Sequence, residues 1–114
     1  MDKCIFCMIV NGEIPSKVVF ESENVVAFED INPQAPVHVV VIPKKHMKNI
    51  IEFSTEEANL TKEMMEACVK VAEIKNIKDD GFRVINNCGE NAGQTVMHFH
   101  MHVLGGGKFN ERII

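Results

Sequence analysis

Two β-branched and aromatic runs, Val18-Val19-Phe20-Glu21 and Val25-Val26-Ala27-Phe28, flank Ser22-Glu23-Asn24, a pattern that predicts a β-hairpin. Ahead of them, residues 5–11 read as one short helical turn stopped by Gly12, with Pro15 forbidding its continuation. The loop Asn32-Pro33-Gln34-Ala35-Pro36 leads into His38-Val39-Val40-Val41-Ile42. That strand is almost continuously apolar, so it should be central, covered on both faces and ended by Pro43. Ser54-Thr55-Glu56-Glu57 has the Ser-x-x-Glu spacing of a capping box. Leu60, Met64, Ala67, Cys68, Val71 and Ile74 then recur at helical spacing. They predict one long amphipathic helix from Ser54 to about Lys78, closed by Asp79-Asp80-Gly81, with its methionines as core filler. Residues 82–86 read as a fourth strand and 96–104 as a fifth. Strands joined mostly by hairpins, with one long helix on a face, predict an α+β meander around an antiparallel sheet of about five strands. There is no internal repeat and no low-complexity segment.

The fifth strand carries the chemistry. It reads His98-Phe99-His100-Met101-His102-Val103-Leu104. In extended chain alternate side chains share a face, so the three imidazoles should line up about 6.6 Å apart while Phe99, Met101 and Val103 enter the core. Three groups that exchange protons near neutral pH, side by side on a rigid element, point to a site rather than to a solvated face or an accidental metal patch.

Length and charge limit what such a site serves. The chain has 114 residues, enough for a single domain spanning 1–114 with one core. Its start resembles no secretory signal, and its longest apolar run, 37–43, is far too short to span a bilayer, so a soluble, cytoplasmic protein with no membrane partner is expected. A net charge of −4, with no basic cluster beyond Lys44-Lys45, argues against a nucleic-acid polymer as partner. A single nucleotide is not excluded, because backbone N–H groups and imidazoles can meet a few phosphates. An apolar content of 46% is high for this size and predicts a two-fold homodimer, through the long helix and the edge strand before the histidines.

Of four cysteines, Cys68 falls on the apolar face of the helix and Cys88 beside a turn glycine, where no role is assigned. Cys4 and Cys7 form a Cys-x-x-Cys pair, in a cytosolic chain a metal or redox element. No βαβ pattern surrounds it, as a thioredoxin-like motif requires. Two thiolates need two further ligands to close a tetrahedral zinc site, and histidine is the usual choice.

The His-apolar-His-apolar-His-apolar-apolar run resembles the signature of the histidine triad nucleotide-binding family. The likeness extends along nearly the whole chain. The segment from Phe28-Glu29-Asp30-Ile31 through Ala35-Pro36-Val37-His38 is similar to the family's Asp-Ile and Ala-Pro-x-His segments. Val41-Ile42-Pro43-Lys44-Lys45-His46, Gly93-Gln94-Thr95-Val96 and Gly105-Gly106 follow in their places. The nearest branch is the small homodimeric one that hydrolyses purine nucleoside phosphoramidates.

That resemblance implies roles residue by residue. His100 becomes the nucleophile that is transiently nucleotidylated, and His102 binds phosphate or protonates the leaving amine. His38 approaches the same phosphate; Asn87 and Thr95 donate to its oxygens, Gly93 lets the backbone come close, and Gln94 flanks it. Asp30 takes the ribose hydroxyls, where a purely local reading makes it a turn cap before Asn32-Pro33. Ile5, Phe6, Ile9, Phe28 and Ile31 resemble a purine slot, though as periodic apolar residues they would serve equally as core. The Cys pair resembles that of zinc-binding members, in which the first histidine of the triad is a ligand; this implies one structural zinc on Cys4, Cys7, His46 and His98. Thr95 stands where Ser is common and Met97 where an aromatic is frequent, and the tail to Ile114 has no Trp. Two other readings remain at this point: a zinc hydrolase or hydratase with His38, His100 and His102 as ligands, and a nucleotide-binding regulator with little turnover.

Overall fold

The structure, a computed structural model, describes residues 4–109, so the tail that ends at Ile114 lies outside the described residues past Phe109. The first helix, α1 (Ile5–Val10), precedes the hairpin β1 (Val18–Glu21) and β2 (Val25–Glu29). Next come β3 (Val37–Pro43), α2 (Ile50–Phe53), α3 (Ala58–Ile74), β4 (Phe82–Ile85), a 3₁₀ turn (Glu90–Ala92) and β5 (Met101–Gly105). The five strands form one antiparallel sheet in the order β1-β2-β3-β5-β4. It departs from the expected meander, because β5 inserts between β3 and β4 and the chain crosses over to place it there.

Strand alternation divides the interior between the two faces. Val25, Ala27, Val39, Val41, Met101 and Val103 pack on one face against Leu60, Met64, Ala67, Cys68 and Val71 of α3. On the other face Val26, Phe28, Val40 and Ile42 lie under Phe6, Ile9 and Val10 of α1. The central strand β3 is thus covered on both sides, as its continuous apolar run implies, and the histidines share the α1 face. Phe99 anchors them from behind: fully buried, it stacks on Phe53 of α2 with ring centroids 4.2 Å apart. Truncating a buried Phe to Ala costs about 3–5 kcal/mol, which indicates how firmly this segment is seated.

Local competition explains where the elements depart from the pattern. Asn49 caps α2, its Oδ1 accepting from the N–H groups of Ile51 and Glu52 (3.1 and 3.2 Å). Ser54 and Thr55 are therefore at the end of a helix, and their hydroxyls donate backwards to the carbonyls of Ile51 and Glu52 instead of forming a capping box. The long helix α3 begins at Ala58 and ends at Ile74, short of Lys78. Its closure is a Schellman motif. Asn76 takes the left-handed conformation (φ 60°), and the N–H groups of Asn76 and Ile77 bond the carbonyls of Glu73 and Ala72. Ile74, expected in the core, is half exposed, and Ala72 is buried instead. No described helix is long and apolar enough to cross a membrane.

The fifth strand is also shorter than the pattern predicts. Ladder pairing with β3 begins at Met101, so His98 and His100 precede the strand. Here side chains and a distant loop hold the backbone groups. The His98 ring bonds the carbonyl of Pro43 (2.8 Å), and the Phe99 N–H bonds that of Met47 (2.7 Å).

Candidate active site

His38 and His102 face each other across β3 and β5, whose register sets Val40 opposite His102. His38 is almost fully buried, and its Nδ1 accepts the N–H of Gln34 (3.0 Å). Its proton must therefore sit on Nε2, which donates to Nδ1 of His102 (2.9 Å). That leaves the His102 proton on Nε2. Asp30 serves two neighbours: Oδ1 accepts from the N–H of Asn32 (2.8 Å), while Oδ2 lies 3.4 Å from His38 Nε2. One carboxylate thus caps the turn and faces the His38 ring.

His100 is held by the segment that leads into β5. Its Nδ1 donates to the carbonyl of His98 (2.7 Å), so Nε2 carries a bare lone pair. The Phe6 ring meets the imidazole edge-on at 5.1 Å. Burial lowers the pKa of His100, against the opposing effects of the His98 carbonyl and Asp30. His102 is pushed down to about 4, chiefly by burial and then by His100 and His38, with Asp30 pulling the other way. Near neutral pH His100 and His102 are therefore neutral imidazoles with defined tautomers: a bare nitrogen lone pair on His100 beside an N–H on His102, the rings 5.0 Å apart.

The first histidine of the run belongs to a second cluster. His98 is completely buried, and its Nε2–H is spent on Pro43, which turns the Nδ1 lone pair toward Cys4 Sγ (3.4 Å) and Cys7 Sγ (3.6 Å). His46 Nδ1 lies 3.3 Å from Cys7 Sγ. Cys4 is the N-cap of α1 and accepts the Cys7 N–H on its sulfur (3.4 Å), so both thiols sit on the helix's first turn. The four ligand atoms all lie within 4.8 Å of one another. Zinc bonds of about 2.3 Å to sulfur and 2.0–2.1 Å to nitrogen put tetrahedral neighbours roughly 3.5 Å apart, so the donor set and its spacing fit that ion. The carbonyl on the far nitrogen of His98 is the usual outer partner of a metal-bound imidazole. Burial and the neighbouring Cys4 push the Cys7 thiol up to about 11, and burial lowers His98. Asp30, His38 and His102 form another possible ligand group, but His100 belongs to no such group among the described residues.

The remaining predicted residues divide. Ile5, Phe6, Ile9, Phe28, Asp30 and Ile31 all line one cavity of about 810 Å³. Ile31 is fully exposed there and Ile5 nearly half exposed, so neither serves as core. Gly93 closes the 3₁₀ turn at φ 85°, a left-handed conformation that favours glycine, and a Cβ there would meet no protein atom within 4 Å. Gln94 is buried. It accepts the N–H of Gly89 and donates to the carbonyls of Lys48 and Val96, so its amide is fully engaged in the fold. Asn87 is half-buried and Thr95 exposed on the same loop. Asn86, passed over in the sequence, reaches the site's backbone: its Nδ2 donates to the carbonyl of His100 (2.9 Å). The Asn86-Asn87 pair at a strand end was its only signal, and nothing local says which amide turns inward.

A family model described as "Scavenger mRNA decapping enzyme C-term binding" matches residues 3–112. Purine nucleoside phosphoramidase of Escherichia coli (strain K12) is 40% identical over 105 residues, covering 92% of this chain and 88% of that protein. A HIT family hydrolase from Clostridium thermocellum superposes with a TM-score of 0.94 at 45% identity, covering 100% of this chain and 99% of that one. A histidine triad protein from Clostridium difficile gives 0.91 at 46% identity, with 98% and 96% covered.

Proposed function

The chain belongs to the histidine triad family, and on that premise we propose that it hydrolyses the P–N bond of purine nucleoside 5′-phosphoramidates through a nucleotidyl intermediate on His100. The observation that carries this reading is the tautomer of His100: with Nδ1–H committed to the His98 carbonyl, the nucleophilic lone pair stands on Nε2 at neutral pH. In the proposed reaction Nε2 attacks the α-phosphorus, and a bond to imidazole forms as the bond to the leaving amine breaks. The amine departs with a proton from His102. That ring is neutral in the free protein; the bound phosphoramidate anion raises its proton affinity, so that it takes up a proton from solvent and passes that proton to the departing amine. Water attacks the nucleotidyl-imidazole, His102 accepts its proton, and nucleoside monophosphate leaves.

His38, whose nitrogens are engaged with Gln34 and His102, orients His102 in this scheme. The cavity from Ile5 to Ile31 takes the base and Asp30 the ribose hydroxyls, while Asn87, Thr95 and the backbone at Gly93 meet the phosphate. Mixing the protein with adenosine 5′-phosphoramidate and looking by mass spectrometry for a nucleotidyl adduct tests this. The adduct should map to His100 and vanish with turnover in His100→Ala, while nucleotide binding persists. An Ala variant turning over near the parent rate would sink the assignment.

The second part of the proposal is one zinc ion on Cys4, Cys7, His46 and His98, supported by the spacing and chemistry of the four donors. Bound there, zinc supplies a structural cross-link. It ties α1, which has no fully buried residue of its own, to the loop after β3 and to the first triad residue. Four protein ligands close the coordination shell, so phosphoryl transfer stays with His100 and His102. Four free cysteines suit a reducing cytoplasm, and a two-fold homodimer completes the reading.

A further inference from the structure

We propose that Asn86 is a positioning residue for the nucleophile, acting through the carbonyl of His100. The inference rests on His100 being the nucleophile and adds the element that holds its backbone in place. Between β3 and β5 the ladder runs from Val37↔Gly105 to Val41↔Met101, and between β4 and β5 from Phe82↔Gly105 to Ile85↔His102. Both ladders stop just short of His100. The nucleophile therefore lies beyond the last paired residue of its strand, where peptide planes are free to tilt unless something else binds them.

Asn86 is the first residue after β4, and its side-chain amide takes over where the backbone ladder ends, donating from Nδ2 to the His100 carbonyl at 2.9 Å. The ring is fixed from the other side by its bond to the His98 carbonyl (2.7 Å). These two bonds, one on the ring and one on the peptide that follows it, together determine where Nε2 points. Asn86 is half-buried, so losing its donor leaves the carbonyl to rotate toward water. In-line attack on phosphorus tolerates little misplacement of the attacking nitrogen: a shift of about 1 Å can cost on the order of 100-fold in rate.

The test compares full-length Asn86→Ala, which removes the donor without adding charge, with Asn86→Asp, which keeps the shape but offers only acceptor oxygens. His100→Ala is the reference. Steady-state and single-turnover rates are measured with adenosine 5′-phosphoramidate, nucleotide binding by calorimetry with AMP, and folding by thermal melting. Both Asn86 variants should lose roughly 10- to 100-fold in kcat and in the rate of adduct formation, with KM and AMP affinity within about threefold of the parent. Unchanged kcat in Asn86→Ala would overturn the proposal, and so would kcat, AMP affinity and melting temperature all falling together. A loss confined to Asn86→Asp would overturn it too, by assigning the effect to the added charge. If His100→Ala itself turns over, the nucleophile reading fails; an inactive His100→Ala beside a fully active Asn86→Ala refutes only the role given to Asn86.

Discussion

Acidification should destabilise the protein through His102, and His102→Gln should remove that part of the loss. In the folded chain the ring titrates near 4, against its ordinary value of 6.5 when unfolded. The sign follows from proton counts: between those values the unfolded chain binds the proton and the folded one does not, so stability falls as pH falls. Stability from this group is whole above about pH 6.5, drains away on the descent toward about pH 4, and loses nothing further from His102 below that. A gap of this size corresponds to about 3 kcal/mol at about 1.4 kcal/mol per pH unit. The ring is only half-buried, and solvent screening reduces the expected loss to roughly 1–2 kcal/mol. Urea denaturation at several pH values between about 7.5 and 4.5 measures it, with parent and variant compared at each point. Carboxylates such as Glu63, whose pKa is lowered by Ser22 and Asn24, also weaken the fold in acid. Those contributions are common to both proteins, so the informative quantity is the difference between the curves. Parallel curves would refute the reasoning, because Gln cannot take up the proton.

Elemental analysis of carefully purified protein should find one zinc per chain, and Cys7→Ser should lower that occupancy and the melting temperature together; metal-free parent protein, or density placing the ion on His100 and His102, would contradict the ligand set. His102→Ala should slow hydrolysis of plain amine substrates more than of substrates with activated leaving groups, and equal losses for the two would argue against its role as proton donor. Sedimentation at micromolar concentration should give a dimer, consistent with the exposed Met65 and Val69 on α3 and Val84 on the edge strand β4, and a monomer would overturn that expectation.

What the chain reveals in advance depends on how far each residue's partner lies along it. Alternation in the histidine run depends only on neighbours, and it predicts that Phe99, Met101 and Val103 enter the core while the histidines take the opposite face, as found even for His98 and His100, which the ladder does not reach. The periodicity of α3 likewise identified Leu60, Met64 and Val71 as core. Its ends were misread because Ser54 and Asn76 each had competing local bonds, and only tertiary packing decides between such options. The features that turn the histidine run into a site are the hardest to read. His98 bonds Pro43 from 55 positions away and Gln94 bonds Lys48 from 46; the Asn86 amide reaches 14 residues to His100. Each is a polar side chain satisfying a backbone group where regular pairing has stopped. Such bonds leave no period in the sequence, since a Gln in a turn or an Asn after a strand looks the same whether it meets water or a carbonyl. The triad signature thus locates the atoms proposed to react, while the groups that hold those atoms in place emerge only when every backbone donor and acceptor around them is traced to its partner.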